Sequence, residues 1–367
     1  MKGKRLYQMK PTQTKIINFL KTLITCNDLA EIKHNILEMK NSIEASGTGD
    51  FDHLNFSLNG QTIKIKNNYL VNELTQILAT HTLQRTKYYT KRLIKGLSEV
   101  KTSKINDINL NQWKKYNDIL TDSLWLIKKR DNSGSHSAEY WGNFIPQIPN
   151  QLLKRYSKQG EWVLDPFLGS GTTLIECIRL GRNGIGVELQ GKITELAENN
   201  IQKEQNLFNK DVKTEIVNGD SSAINFKDEL KKRGINSVQL LIMHPPYWDI
   251  IKFSNDKRDL SNAKNVEQFL SAFGNIVDNT YQVLDKNRYL AVVIGDKYCK
   301  GEWIPLGFYA MQEVLKRKYK LKSIIVKNFE DTTGKRNQHK LWRYRALVGG
   351  FYIFKHEYIF LFVKRGK

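Results

Sequence analysis

WVLDPFLGSGTTLIEC, residues 162–177, decides how this chain is read. Val163 and Leu164 close a short apolar run of the kind that forms a buried parallel strand. Asp165 ends that run, Gly169 and Gly171 follow, and Thr172 and Thr173 open an apolar helical tract. The order is strand, tight glycine turn, helix N-terminus. Glycine lets a backbone approach a ligand closely, and a helix start offers free N–H groups. GIGVEL, residues 184–189, adds a second strand from Ile185 to Val187 that ends in Glu188. An acidic residue about 20 positions after a glycine turn is placed to bind ribose hydroxyls. The turn lacks the Lys of a GxxxxGK[ST] loop, which argues against a nucleoside triphosphate. A second stretch, MHPPYW at 243–248, lies about one strand–helix–strand unit downstream.

The chain has 367 residues, 40% of them hydrophobic, enough for one large α/β domain and a smaller one. Its formal net charge is +21, which favours a polyanionic partner, most simply nucleic acid. A lysine-rich solvated surface is the competing explanation. Residues 1–130 hold 22 Lys and Arg against 11 Asp and Glu, so about half the excess sits in the first third. Cys26, Cys177 and Cys299 are scattered, with no CxxC pair and no His/Cys cluster at metal spacing. We expect a reducing compartment and no metal. MKGKRLYQMK at the start has no apolar core of a signal peptide, and no apolar run nears the ~18 residues of a membrane span. The expectation is a soluble, cytoplasmic protein with no membrane partner.

Apolar positions recur at helical spacing over 11–45 (Ile16, Ile17, Leu20, Leu23, Ile24) and 70–98 (Leu74, Ile77, Leu78, Leu83). A third such tract runs from Gln112 to Lys129 through Trp113, Tyr116, Ile119, Leu120 and Leu124. Between the first two, an alternating stretch around Asn59-Gly60 predicts a hairpin. Residues 1–130 thus read as a mainly helical accessory, DNA-contacting domain. Lys87, Tyr88, Tyr89, Lys91, Arg92 and Lys95 form a basic, aromatic-bearing stretch that suits a solvated helix face as well as DNA contact. DNSGSHS, 131–137, reads as a linker. From 131 to 367 strands and helices alternate. Helices are predicted from Asn150 and at 190–205, 224–232, 265–284 and 304–317. Strands are predicted at 214–218, 238–243, 289–294, 321–326 and 357–363. This rhythm predicts a doubly wound, mostly parallel sheet, in which ligands sit at the carboxyl ends of strands. Asp165, Glu188, Asp220 and His244 all fall at such ends.

With these residues in hand, DPFLGSGTT, Glu188, Asp220 and HPPYW together resemble the AdoMet-dependent amino-methyltransferases that modify DNA at adenine N6 or cytosine N4. FIPQIPNQLL, 144–153, is similar to that family's additional cofactor-contacting segment. The resemblance covers roughly 136–364 and implies a Rossmann-like methyltransferase fold with AdoMet as cofactor and DNA as partner. It implies that Asp165 orients the AdoMet ammonium, that Phe167, Gly169 and Gly171 shape the backbone around it, and that Thr172 contacts its carboxylate. Glu188 would accept both ribose hydroxyls, Asp220 with Ser221 would meet the adenine amino group, and Phe144 and Pro146 would line the methionine side. For each acid alone, a helix cap or solvated loop end is about as good an explanation, but three acids at successive strand ends argue against it. The resemblance also implies a prokaryotic or phage enzyme of a restriction-modification or defence type, nucleoid-associated, with a partner subunit or restriction enzyme as a further candidate.

His244, Pro245, Pro246 and Tyr247 form the candidate catalytic group. An exocyclic amine is a poor nucleophile because its lone pair is delocalised. Acceptors around its N–H groups draw it toward sp³, and in the family these are the first side chain and the carbonyl of the next Pro, here Pro245. Tyr247 would offer an aromatic face to a base flipped from the duplex, and Trp248 would extend that platform or pack. His244 departs from the family's Asp, Asn or Ser. Three readings stay open: a working acceptor, with activity falling below pH ~6.5; a shifted substrate; or an impaired enzyme. Specificity has two candidate carriers, the helical N-terminal domain and a basic loop at 327–346. That loop holds Lys335, Arg336, Lys340, Arg343 and Arg345 among Trp342 and Tyr344, which suits phosphate contact with base stacking. An RNA base-amine (guanine N2) methyltransferase and a non-catalytic AdoMet- or DNA-binding subunit are the alternatives.

Overall fold

The computed structural model describes residues 12–45, 53–58, 61–136, 140–207, 211–329 and 339–366. Two compact units divide the chain, one of residues 1–104 and 108–118, the other of 105–107 and 119–367. The first therefore closes earlier than the expected 130.

In that first unit α1 (Gln13–Thr25) and α2 (Leu29–Ala45) precede a hairpin of β1 (His53–Leu58) and β2 (Gln61–Lys66). α3 (Asn67–Leu78) and α4 (Leu83–Ser98) follow, then a short 3-10 stretch, Leu110–Lys115, kinked at Gln112. The helices form because apolar residues recur every three to four positions. Ile32, Ile36, Met39 and Ile43 make one buried stripe on α2, and Ile16, Leu20 and Leu23 of α1 belong to the same core cluster. The hairpin pairs antiparallel, as its alternation predicts; Asn59 and Gly60 lie outside the described residues. The expected helix from Gln112 to Lys129 is not there. Asn109 instead accepts backbone N–H bonds from Lys101 and Asn111, and the chain turns. Asn109 thereby caps the 3-10 stretch, and the helical course is broken at Gln112, whose φ/ψ are not helical.

The second unit is a sheet flanked by helices. Along the chain come β3 (Leu124–Trp125), α5 (Gln147–Tyr156), β4 (Trp162–Asp165), α6 (Thr172–Leu180), β5 (Asn183–Glu188), α7 (Gly191–Leu207) and β6 (Thr214–Asn218). Then follow α8 (Phe226–Lys232), β7 (Val238–Met243), α9 (Val266–Tyr281), β8 (Leu284–Ile294) and a small hairpin of β9 (Lys297–Cys299) and β10 (Glu302–Ile304). α10 (Leu306–Leu315), β11 (Tyr319–Asn328), α11 (His339–Gly349) and β12 (His356–Lys364) complete it. The sheet order is β3-β11-β12-β8-β7-β4-β5-β6. β4 to β8 are parallel, and β12 runs antiparallel to both β8 and β11. This is the Rossmann-like, mostly parallel doubly wound sheet that the strand–helix rhythm predicts.

Two consequences follow for a site. From β4 the chain proceeds outward through β5 and β6, then returns to place β7 on the other side of β4. That reversal is the switch point where ligands bind in open α/β sheets. Because β12 is antiparallel, its first residues lie beside the carboxyl end of β8, with Tyr358 opposite Ile294. The carboxyl ends of β4, β5, β7 and β8 and the start of β12 therefore share one edge.

Two further expectations change. Residues 131–136 are not a linker: Arg179 donates to the Ser133 carbonyl at 2.5 Å, and the Ser135 N–H donates to Glu204 at 2.7 Å, tying the segment onto α6 and α7. A Cβ on Gly134, at φ +62°, would fall 2.1 Å from Arg179 Nη2, so the turn needs glycine. The stretch 327–346 is not one loop either. Its start belongs to β11 and its end to α11, while 330–338 lie outside the described residues.

Candidate active site

The glycine turn is shaped by what lies beneath it. Gly186 of β5 leaves room for Leu168, whose Cδ2 would lie 2.5 Å from a Cβ at that position. Gly169 and Gly171 both have positive φ, +56° and +96°, and Gly171 caps α6. Leu168, so seated, aims the Gly169 N–H at Glu188 Oε2, 3.0 Å away, while the Gln190 N–H donates to Oε1 at 2.9 Å. Glu188 is thus held by two backbone donors and keeps acceptor capacity toward the cavity that it lines. Burial raises its carboxyl above the usual range.

That cavity, of about 1120 Å³, opens at the switch point. Of the residues singled out in the sequence, Phe144, Phe167, Gly169, Thr172 and Glu188 line it. So do Asp220, Ser221 and the whole turn from His244 to Tyr247. Asp220 accepts the Ser222 N–H at 2.8 Å, and the Ser221 hydroxyl donates to the Pro166 carbonyl at 2.7 Å, clipping the end of β6 to the glycine turn.

Others stay outside it. Asp165 is 1% exposed, its oxygens taken by the Phe167 N–H at 2.9 Å and the Thr173 hydroxyl at 2.5 Å. Burial pushes its carboxyl up to about 7. It builds the turn from behind rather than facing a ligand. Pro146 is the buried cap of α5, and Gly171 sits under the turn. Trp248 packs on the core, its indole N–H donating to the Ala263 carbonyl at 2.8 Å with Lys297 Nζ 3.9 Å from the ring centroid. It does not extend a stacking platform in the cavity. Lys340 and Arg343 are exposed on α11, and Lys335 and Arg336 lie outside the described residues.

The turn after β7 carries the densest chemistry. Tyr247 Oη donates to Glu357 Oε2 at 2.7 Å and lies 3.2 Å from His244 Nε2. Glu357 Oε1 pairs with Lys327 Nζ at 3.0 Å. The Phe144 ring stands edge-on to the His244 ring, centroids 4.8 Å apart. The Tyr247 ring needs Gly295 beneath it, because a Cβ there would lie 2.9 Å from Cε2. Burial pushes His244 down to about 4; Glu357 opposes that shift and Lys327 adds to it. Burial, reinforced by Glu357, pushes the Tyr247 phenol well above its usual range. Near neutral pH both groups are uncharged. The expected acid-side loss near pH 6.5 therefore moves down to about 4, the cause being desolvation of the imidazolium.

Glu357, Lys327 and Tyr140 line the cavity but were not singled out from sequence. Glu357 has one available signal: it is an acid at the start of the otherwise apolar run Tyr358 to Val363. Among the described residues no three His, Cys, Asp or Glu side chains gather as a metal site, and no helix is long and apolar enough to cross a membrane.

A nucleoside-sized cleft at the switch point of such a sheet, with an acid at the end of its second parallel strand, defines the Rossmann-like methyltransferase class. A family model described as DNA methylase (N6_N4_Mtase) matches residues 9–199 and 238–367, and the chain belongs to that family. The chain is similar to the Type II methyltransferase M.MjaII of Methanocaldococcus jannaschii, 44% identical over 64 residues, 17% of this chain and 12% of that protein. It is also similar to M.MthZI of Methanothermobacter thermautotrophicus, 31% identical over 139 residues, 35% of this chain and 38% of that one. The matched segments thus span well under half of these relatives' own length. Among solved structures, TrmN from Thermus thermophilus overlays with a TM-score of 0.39 at 16% identity, covering 61% of this chain and 50% of that one, too slight a likeness to bear on function.

AdoMet is the methyl donor of this family, and the residues present fit it. Glu188 offers a carboxylate fixed by two N–H groups, Asp220 follows at the next strand end, and Phe144 and Phe167 supply apolar wall.

Proposed function

We propose that this chain transfers a methyl group from AdoMet to the exocyclic amine of a base in DNA, adenine N6 or cytosine N4, within a restriction-modification or defence system. One observation carries the reading: the HPPY turn and Glu188 line one cavity at the switch point. Bound AdoMet supplies an electrophilic methyl on a sulfonium sulfur. Glu188 holds the ribose and Asp220 the adenine. His244 and the Pro245 carbonyl accept the N–H bonds of the target amine and aim its lone pair, and Pro245 and Pro246 keep the turn preorganised. The Tyr247 ring offers a face to a base taken out of the duplex, offsetting a flipping cost of a few kcal/mol. Lys340 and Arg343 on α11, with Lys335 and Arg336 before them and the basic helical unit, contact phosphates.

The test is transfer of labelled methyl from AdoMet to duplex DNA, single-stranded DNA and tRNA, followed by digestion and chromatography of the nucleosides. Label in N6-methyladenine or N4-methylcytosine is expected. Label confined to RNA, or AdoMet binding with no transfer to any nucleic acid, overturns the proposal.

A further inference from the structure

The turn after β7 is wired to a carboxylate that no part of its own sequence motif supplies. Glu357 belongs to β12, more than a hundred residues downstream, and arrives at the cavity because that strand is antiparallel. It pairs with Lys327, directly opposite on β11, at 3.0 Å, and a carboxylate paired in this way takes the acceptor role toward Tyr247. The Tyr247 hydroxyl has one proton, and that proton is committed to Glu357 at 2.7 Å. The contact between Tyr247 Oη and His244 Nε2 at 3.2 Å then has one consistent arrangement: Nε2 carries the hydrogen and Oη accepts it. A neutral imidazole has one N–H, so Nδ1 is left as the acceptor.

We propose that Glu357 is a positioning residue that acts through Tyr247 to hold His244 as the Nε2–H tautomer, so that Nδ1 presents a lone pair to the amine being methylated. The proposal rests on the methyl-transfer reading for the identity of that amine. It also explains how histidine serves where a carboxylate or amide acceptor is usual. An unpartnered imidazole exchanges between tautomers and can offer either a donor or an acceptor at a given nitrogen, and the relay removes that ambiguity. The charged and titratable groups bearing on the ring are Tyr247 from its own turn, Lys327 from β11 and Glu357 from β12; the Phe144 edge completes its surroundings. With the hydroxyl lost, the ring has no partner to choose its tautomer, whereas the aromatic face of residue 247 is kept.

The experiment compares wild type, Tyr247→Phe, Glu357→Gln and the double variant, with His244→Gln used to assign the signal. Long-range ¹⁵N–¹H spectra of histidine-labelled protein report the tautomer directly, near neutral pH and without substrate. Wild type is expected to show His244 protonated at Nε2 only, and Tyr247→Phe to show mixed tautomers. Methyl transfer should fall about tenfold in kcat in Tyr247→Phe with little change in KM for AdoMet. The double variant should be no slower than Tyr247→Phe alone, because both act through one relay. Glu357→Gln leaves Lys327 without its carboxylate and is the riskier variant for folding; Tyr247→Phe alone decides if it fails. An Nδ1–H tautomer in wild type, or an unchanged tautomer in Tyr247→Phe, overturns the proposal. Because the tautomer is read in the free protein, a failure of the methyl-transfer reading shows up separately, as the predicted tautomer with no transfer.

Discussion

His244 makes the stability of this protein depend on pH in a calculable way. Burial holds the folded-state pKa at about 4, against 6.5 for an ordinary histidine. Between those values the unfolded chain binds a proton that the folded chain refuses, so acidification favours unfolding. The contribution is present in full above pH 6.5 and is lost progressively as pH falls to about 4. The gap corresponds to roughly 3 kcal/mol at 1.36 kcal/mol per unit, and the position of the ring on a cavity wall within reach of water reduces this to about 2 kcal/mol. Asp165 works in the opposite direction. Its carboxyl is raised from 3.8 to about 7, so its share of stability is full below pH 3.8 and is lost as pH rises through 7. The comparison must therefore cancel it. Urea unfolding of wild type and His244→Gln at each pH from 8 to 3 does so, because Asp165 is present in both. We expect wild type to lose about 2 kcal/mol relative to the variant across that range and the difference to flatten below pH 4. Parallel stability curves would refute the reasoning, since the imidazolium would then carry no burial penalty.

Other outcomes follow from the same contacts. Gly295→Ala should push the Tyr247 ring off its seat, at a cost of about 1–3 kcal/mol by thermal or urea unfolding and with a loss of methyl transfer exceeding that in AdoMet binding. Gly186→Ala should destabilise by a similar ~1–3 kcal/mol through Leu168 and weaken AdoMet binding, measured by calorimetry, because the glycine turn must move. Glu188→Gln replaces an acceptor fixed by two N–H groups and should weaken AdoMet about tenfold or more, while the far-UV dichroism is unchanged. Charge reversal at Lys340 and Arg343 together should lower the slope of log K against log salt for DNA by about 2; an unaltered slope removes α11 from the DNA face.

The glycine turn and the acids that line the cavity were legible because their signals are local. Gly169 and Gly171 are needed where the backbone turns at positive φ, and Glu188 and Asp220 end apolar runs. Each can be placed at a strand end from period and punctuation alone. The role of Asp165 was harder to read, since nothing in the string says that the turn folds back over its carboxylate. Glu357 was out of reach for a different reason. Its importance comes from the direction of β12, and a period-2 apolar run carries no sign of which way it lies in a sheet. Leu124 and Trp125 show the same difficulty at the sheet's far edge. They read as part of a helical tract, yet two residues of edge strand pair with Val326 and Lys327. The apolar spacing from Trp113 to Leu120 suited a helix, but the backbone makes only a 3-10 stretch, Leu110–Lys115, kinked at Gln112.

The position of β12 also bears on how the protein is made. Translated after β8 and β11, it inserts between them, so the sheet cannot close while those residues are still unread. A nascent chain that has already displayed its glycine turn and its HPPY turn still lacks the strand that joins the two edges and brings Glu357. Such late, long-range pairing is slow to form, and the open edges of β8 and β11 are exposed until it does. Assembly of the acceptor would then wait on synthesis of β12, and a product stopped before residue 356 would hold the turns without the relay that orients them.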